Sequence, residues 1–195
     1  MPDKCFLIEF EERFASIRPY VDGKVVLDIG CGGTKNSFSL LHERISSVAK
    51  ENVGIEINRK FVEIMKKHGH NVVLADAENF NLGRKFDVIV AGEIIEHLSN
   101  FKGFLESCAR HMRKDSKLII TTPNVFNIDN IYVIFLKKIL PKMGDHTVWF
   151  DEYVIKNLLE KNGFRVEKID YVIRTKIPAT KYLRYKTLVV VASLR

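Results

Sequence analysis

Cysteine is scarce: Cys5, Cys31 and Cys108 are the only three in 195 residues, and no two form a CxxC pair. An odd, dispersed set makes neither a disulfide framework nor a thiolate zinc site, and it points to a reducing, cytoplasmic setting. No apolar run approaches the roughly 20 residues that a membrane span needs. The opening MPDKCFLIEFEERF breaks its apolar residues with acids, so a soluble protein is expected. Internal repeats, low-complexity tracts and Ser/Gly-rich linkers are also missing, which excludes a solenoid and argues for one continuous fold. With 46% hydrophobic residues the chain can fill one core but not comfortably two, so 1–195 is predicted to be a single domain. The formal charge of +7 admits an anionic substrate or partner without choosing one.

What is present is alternation. KVVLDIG (24–30), ENVGIEI (51–57), NVVLAD (71–76), FDVIVAG (86–92) and KLIITT (117–122) read as buried strands rich in Val and Ile. Helix-like segments lie between them at 36–50, 59–69, 100–114 and 127–140, after an N-terminal helical segment at 1–21. A last helix, DEYVIKNLLEKNGF, stops at Gly163 and leads into RVEKIDYVI and YKTLVVVASL, two strands with no helix between them. The fold class predicted is α/β: a doubly wound, mostly parallel seven-stranded sheet with an antiparallel C-terminal hairpin at its edge. Ligands bind such sheets beyond the carboxyl ends of the strands, and the polar motifs fall there.

Gly30, Gly32 and Gly33 in VLDIGCGGTKNSF lack the Cβ that would keep backbone from a ligand, and the following helix aims its amides at the same place. A dinucleotide fingerprint needs a glycine where Lys35 stands, which speaks against a nicotinamide-dependent oxidoreductase. Glu56 ends the second strand, where a carboxylate can accept hydrogen bonds from ribose hydroxyls. Asp76 ends the third, placed for an adenine amino group. Together they predict one nucleoside pocket. Behind the fourth strand comes GEIIEH, in which Glu93, Glu96 and His97 stand at i, i+3 and i+4 and would share one face of a helical turn.

The ordered set VLDIGCG, VGIEIN, LADAENF, FDVIVAGEIIEHL and LIITTPN resembles the class I S-adenosylmethionine-dependent methyltransferases, whose sheet is Rossmann-like. The resemblance covers about residues 22–165, with Thr34 standing at the usual third loop glycine. It implies S-adenosyl-L-methionine as cofactor, with contacts from Asp28, Gly30, Gly32, Glu56, Ile57, Asp76, Ala77 and Glu93. EIIEH followed by His146 in HTVWFDE is similar to metal-using branches of that family: ubiquinone-pathway O-methyltransferases and small-RNA 2′-O-methyltransferases. This second resemblance implies catalytic roles for Glu93, His97 and His146. It also implies a possible divalent cation, Mg or Mn, on Glu93, Glu96, His97 and His146; bracing of a helix start by the same acid and His is the alternative.

The acceptor is expected to be a small molecule methylated on oxygen, a sugar, glycan intermediate or quinone-like phenol. No DPPY or NPPY follows the fourth strand and no Pro-Cys nucleophile is present, which argues against methylation of adenine amino groups and pyrimidine C5. Residues 123–150 read as a lid insertion, with a core helix or a membrane-surface helix as alternatives. Trp149 and Phe150 are candidates for the pocket wall or the core. YVIRTKIPATKYLRYK interleaves Arg174, Lys176, Lys181, Arg184 and Lys186 with tyrosines, so nucleic acid stays open as a partner beside a plain solvated edge hairpin. RNA ribose 2′-O-methylation with a metal, or a catalytically silent cofactor-binding module, are the rival functions. His42, His68, His70 and His111 show no evident partners in the sequence.

Overall fold

The computed structural model describes residues 4–32, 40–137, 145–174 and 180–195. The Gly33, Thr34 and Lys35 part of the glycine loop, residues 138–144 of the expected lid and Lys176 of the basic segment lie outside them. In chain order the elements are α1 (Lys4–Val21), β1 (Val25–Ile29), α2 (Leu40–Val48), β2 (Glu51–Glu56), α3 (Arg59–Lys67), β3 (Val72–Leu74) and β4 (Phe86–Gly92). A 3-10 turn at Ile95–His97 precedes α4 (Phe101–Arg110), β5 (Met112–Pro123), α5 (Ile128–Lys137), α6 (Glu152–Lys161), β6 (Phe164–Arg174), α7 (Lys181–Arg184) and β7 (Tyr185–Leu194).

The strands form one sheet in the order β3-β2-β1-β4-β5-β7-β6. β1 to β5 pair in parallel, while β7 runs antiparallel to both β5 and β6. Successive strand residues face opposite sides of a sheet, and both sides here are apolar. Leu27, Ile29, Ile89, Ala91, Leu118 and Ile120 join the core with Phe104, Leu105 and Cys108 of α4 and Ile155 and Leu159 of α6. Val26, Val88, Val90 and Ile119 pack with Phe10, Phe14 and Ile17 of α1 and Leu41 and Ile45 of α2. Such two-sided burial explains why the strands read as continuous apolar runs.

Several elements differ from the sequence reading; β5, for one, begins at Met112 and not 117. α4 stops at Arg110, not 114, because the chain is drawn back into the sheet: Phe86 N donates to His111 O at 2.9 Å and Arg113 N to Ser116 Oγ at 2.8 Å. The link between β6 and β7 contains α7, one short helical turn begun at Thr180. The strand order reverses between β1 and β4, and it is there that an open α/β sheet splays its loops into a crevice.

Candidate active site

A cleft of about 340 Å³ opens at this reversal. Gly30, Glu56, Ile57, Asp76, Ala77, Glu78, Ile94, His97 and Leu98 line it, with Ile55 and Ala75 behind. Gly30 has φ +72, a conformation that favours glycine, and a Cβ there would lie 3.0 Å from Ile94 Cδ1, so the Ile94 side chain would have to give way as well. Glu56 Oε2 accepts the amide of Gly32 at 3.0 Å, and Oε1 accepts that of Asn58 at 2.7 Å. Two backbone donors thus aim the carboxylate, and each oxygen keeps a lone pair for a ligand. Asp76 Oδ1 accepts the amide of Glu78 at 2.9 Å, an Asx turn that leaves Oδ2 available. Ile57 is 68% exposed beside the cleft, an apolar surface placed to meet a flat ring.

Of the expected cofactor contacts, Asp28, Gly32 and Glu93 are not among the residues lining the cleft. Asp28 is engaged elsewhere: its Oδ2 lies 2.9 Å from His42 Nδ1, and both residues are buried, Asp28 at 2% and His42 at 0%. His42, which shows no evident partner in the sequence, is held in place by Asn52 and packs beneath Gly54, where a Cβ would meet His42 Cε1 at 3.0 Å. Neighbouring Cys31 is fully buried, and burial with the charges of Asp28 and Glu56 pushes its thiol far above the usual range, so it is inert.

GEIIEH is not a helical turn. Glu93 takes φ +53, a left-handed conformation rare for a residue with a side chain, and Ile94 follows at φ −124, ψ −33 before the 3-10 turn begins. Two contacts hold it so: its amide donates to Thr121 O at 3.0 Å, and Thr121 Oγ1 donates to Glu93 Oε1 at 3.0 Å. Arg13 of α1 reaches the same Oε1, Nη1 at 3.5 Å. Burial raises the Glu93 pKa, opposed by Arg13 and by the Thr121 hydroxyl.

The backbone twist separates Glu93 from the residues with which it was expected to share a face. Glu96, His97 and His146 come together instead, with one potential ligand atom from each inside a 4.8 Å group that excludes Glu93. Thr147 builds this cluster, since its amide and hydroxyl both bond Glu96 O, at 2.8 and 3.1 Å. The His97 and His146 rings meet edge to face at 4.6 Å. Glu96 is 1% exposed; Oε2 accepts from Thr122 Oγ1 at 3.0 Å, while Oε1 has no partner among the described residues. Burial first, then the charge of Glu93, pushes its carboxyl up to about 8. Burial and the adjacent His97 lower the His146 pKa. An orphaned buried carboxyl oxygen beside two imidazoles is a donor set able to hold a metal ion, with more nitrogen and less carboxylate than the sequence pattern implied once Glu93 is outside it.

Sequence reasoning missed Arg13, Thr121, Thr122 and Thr147, which touch the acids from other elements; the TTPN run at the end of β5 hinted at Thr121 and Thr122 alone. Phe150 lies in the core against Phe101, ring centroids 5.7 Å apart, whereas Trp149 is largely exposed. Lys186 of the basic segment is engaged by Glu9 at 2.6 Å and Asp129 at 3.7 Å.

A Rossmann-like sheet with a reversed seventh strand and a nucleoside-sized cleft at its switch point define the architecture of a class I methyltransferase. A methyltransferase-domain family model matches residues 5–169, and the chain belongs to that family, among the class I S-adenosylmethionine-dependent methyltransferases. It is 28% identical over 168 residues to the mitochondrial ubiquinone biosynthesis O-methyltransferase of Rattus norvegicus, covering 76% of this chain and 46% of that protein. Against the ubiquinone biosynthesis O-methyltransferase of Pelagibacter ubique the identity is 28% over 159 residues, covering 74% and 63%. The chain thus spans about half the length of such relatives. In fold it is similar to a SAM-dependent methyltransferase from Archaeoglobus fulgidus, with TM-score 0.67, 21% identity and coverage of 98% and 100%.

Proposed function

We propose that the protein transfers a methyl group from S-adenosyl-L-methionine to an oxygen of a small molecule, a quinone-like phenol being preferred over a sugar or glycan intermediate. The observation that carries the reading is that Glu56 and Asp76, 20 residues apart in sequence, line the same cleft as Gly30. In it Glu56 holds the ribose hydroxyls, Asp76 and the amide of Ala77 read adenine, and the glycine bend admits the methionine part. Names of the relatives, ubiquinone biosynthesis O-methyltransferases, support the phenolic acceptor. The cofactor supplies an already activated methyl, so the chain's own task is alignment and removal of the acceptor's proton.

For that proton the Glu96, His97 and His146 cluster is the candidate, since His97 also lines the cofactor cleft and joins the two functions. His146, its pKa lowered, is neutral and able to accept a proton at pH 7. A divalent cation held by these three residues would supply positive charge that eases deprotonation. Glu93, pinned by Thr121 and Arg13, belongs neither to the metal set nor to the residues lining the cleft. The protein is expected to work in the cytoplasm.

The test is transfer of labelled methyl from S-adenosylmethionine into catechols and simple phenols, with sugars and short RNA as parallel acceptors. Label in the phenols supports the proposal. Label confined to RNA, in a metal-dependent reaction, would favour the ribose 2′-O-methyltransferase reading, and binding without turnover on any acceptor would favour a silent module.

A further inference from the structure

The segment after Asp76 runs along α4 and is fastened to it at every second residue. Glu78 Oε1 accepts the amides of Ser99 and Asn100, the latter at 3.0 Å. Phe80 donates its amide to Ser107 Oγ at 3.3 Å, and its carbonyl accepts Arg110 Nη1 at 2.9 Å. Leu82 donates to His111 Nε2 at 2.8 Å. Glu78 itself lies in the tight turn that follows Asp76, closed by Asn79 N donating to Asp76 O at 3.1 Å.

Of these three rungs only Glu78 belongs to the cleft. One wall of the cleft is Ala75–Glu78, and the facing wall includes Ile94, His97 and Leu98. Glu78 therefore spans from one wall to the residues directly behind the other. The backbones close on the same joint, for a Cβ on Gly103 of α4 would lie 2.5 Å from Glu78 O and 2.5 Å from Asn100 Nδ2. Glycine at 103 is what lets the first turn of α4 sit against the adenine-side loop.

We infer that Glu78 is a positioning residue: a strut that fixes the separation of the two cleft walls and so presets the Asp76 and Ala77 edge for adenine. The inference rests on the cofactor reading above and adds to it the residue that holds the pocket open. A carboxylate is suited to the task because one oxygen can accept two backbone N–H groups in charge-assisted bonds. Its other consequence is coupling. The strut ends two and three residues beyond His97, so the adenine wall and the Glu96–His97 loop move as one body.

Calorimetric titration of the full chain with S-adenosylhomocysteine and, separately, with adenosine tests this without any need for turnover. Glu78→Ala should weaken both ligands by about tenfold, to the same degree, because the loss is on the adenosine half. Glu78→Gln keeps an oxygen able to accept both amides and should stay within about threefold of the parent. Ser107→Ala removes a neighbouring rung outside the cleft and should lower the melting temperature while leaving affinity unchanged. Gly103→Ala presses on the joint from the other side and carries the test if Glu78→Ala does not fold; it too should weaken both ligands. Affinity unchanged in Glu78→Ala or Gly103→Ala, or an equal loss in Ser107→Ala, overturns the strut. A parent protein that binds neither ligand overturns the cofactor reading itself, and the strut with it.

Discussion

Glu56 closes onto the amide of Gly32, Oε2 to N at 3.0 Å across 24 residues of sequence, and occupies the space a Cβ on Gly32 would need. The obstructing group is the mobile end of a side chain, so Gly32→Ala should fold with little loss of stability while turning the Glu56 carboxylate out of position. Affinity for S-adenosylhomocysteine is expected to fall by about tenfold or more, with the melting temperature changed by only a few degrees. Calorimetry and thermal unfolding on the same sample check both halves.

Asp28 and His42 predict the opposite pattern. Their buried hydrogen bond is part of the support under β1 and not of the cleft. His42→Ala leaves a buried acceptor unpaired and opens a void, so stability should drop by about 2–4 kcal/mol. Denaturant unfolding measures the loss, and the folded fraction should bind S-adenosylhomocysteine with near-parental affinity.

His111 makes stability depend on pH. Its Nδ1 donates to Ser107 O at 2.7 Å and its Nε2 accepts from Leu82 N at 2.8 Å, an arrangement only the neutral ring can satisfy. Burial, chiefly, lowers its pKa below the usual 6.5. Between the lowered value and 6.5 the unfolded chain binds the extra proton, so this contribution is complete above 6.5 and fades as pH falls through the folded value. Urea unfolding at pH 5 and pH 7.5 should show a smaller difference for His111→Gln than for the parent.

The Glu96, His97 and His146 cluster predicts retention of Mn²⁺ on equilibrium dialysis, with loss in His146→Ala and Glu96→Gln but not in Glu93→Gln, which lies outside the group. A parent protein that retains no ion, with methyl transfer untouched by EDTA, would leave the cluster a purely organic proton acceptor.

The parallel core of the fold was legible because two-sided burial writes itself as apolar runs: FDVIVAG became β4 residue for residue, and Glu56 ended β2 as read. What failed was local periodicity at a strand end. GEIIEH has helical spacing, yet Thr121 of the adjacent strand bonds Glu93 at both main chain and side chain and fixes a left-handed turn that no local pattern announces. His42 and His111 likewise gained their partners from elements far along the chain, Asp28 and Leu82. Glu78 was invisible for the same reason, its importance lying in two amides 21 and 22 residues away.

One titration bears on the whole account. S-adenosylhomocysteine added to the parent protein should bind, and Glu56→Ala and Asp76→Ala should each lose roughly 1–3 kcal/mol of binding free energy, the ribose and adenine contacts being separate. Parental affinity in both variants, with each still folded, would mean that the cleft between β1 and β4 is not where the cofactor sits.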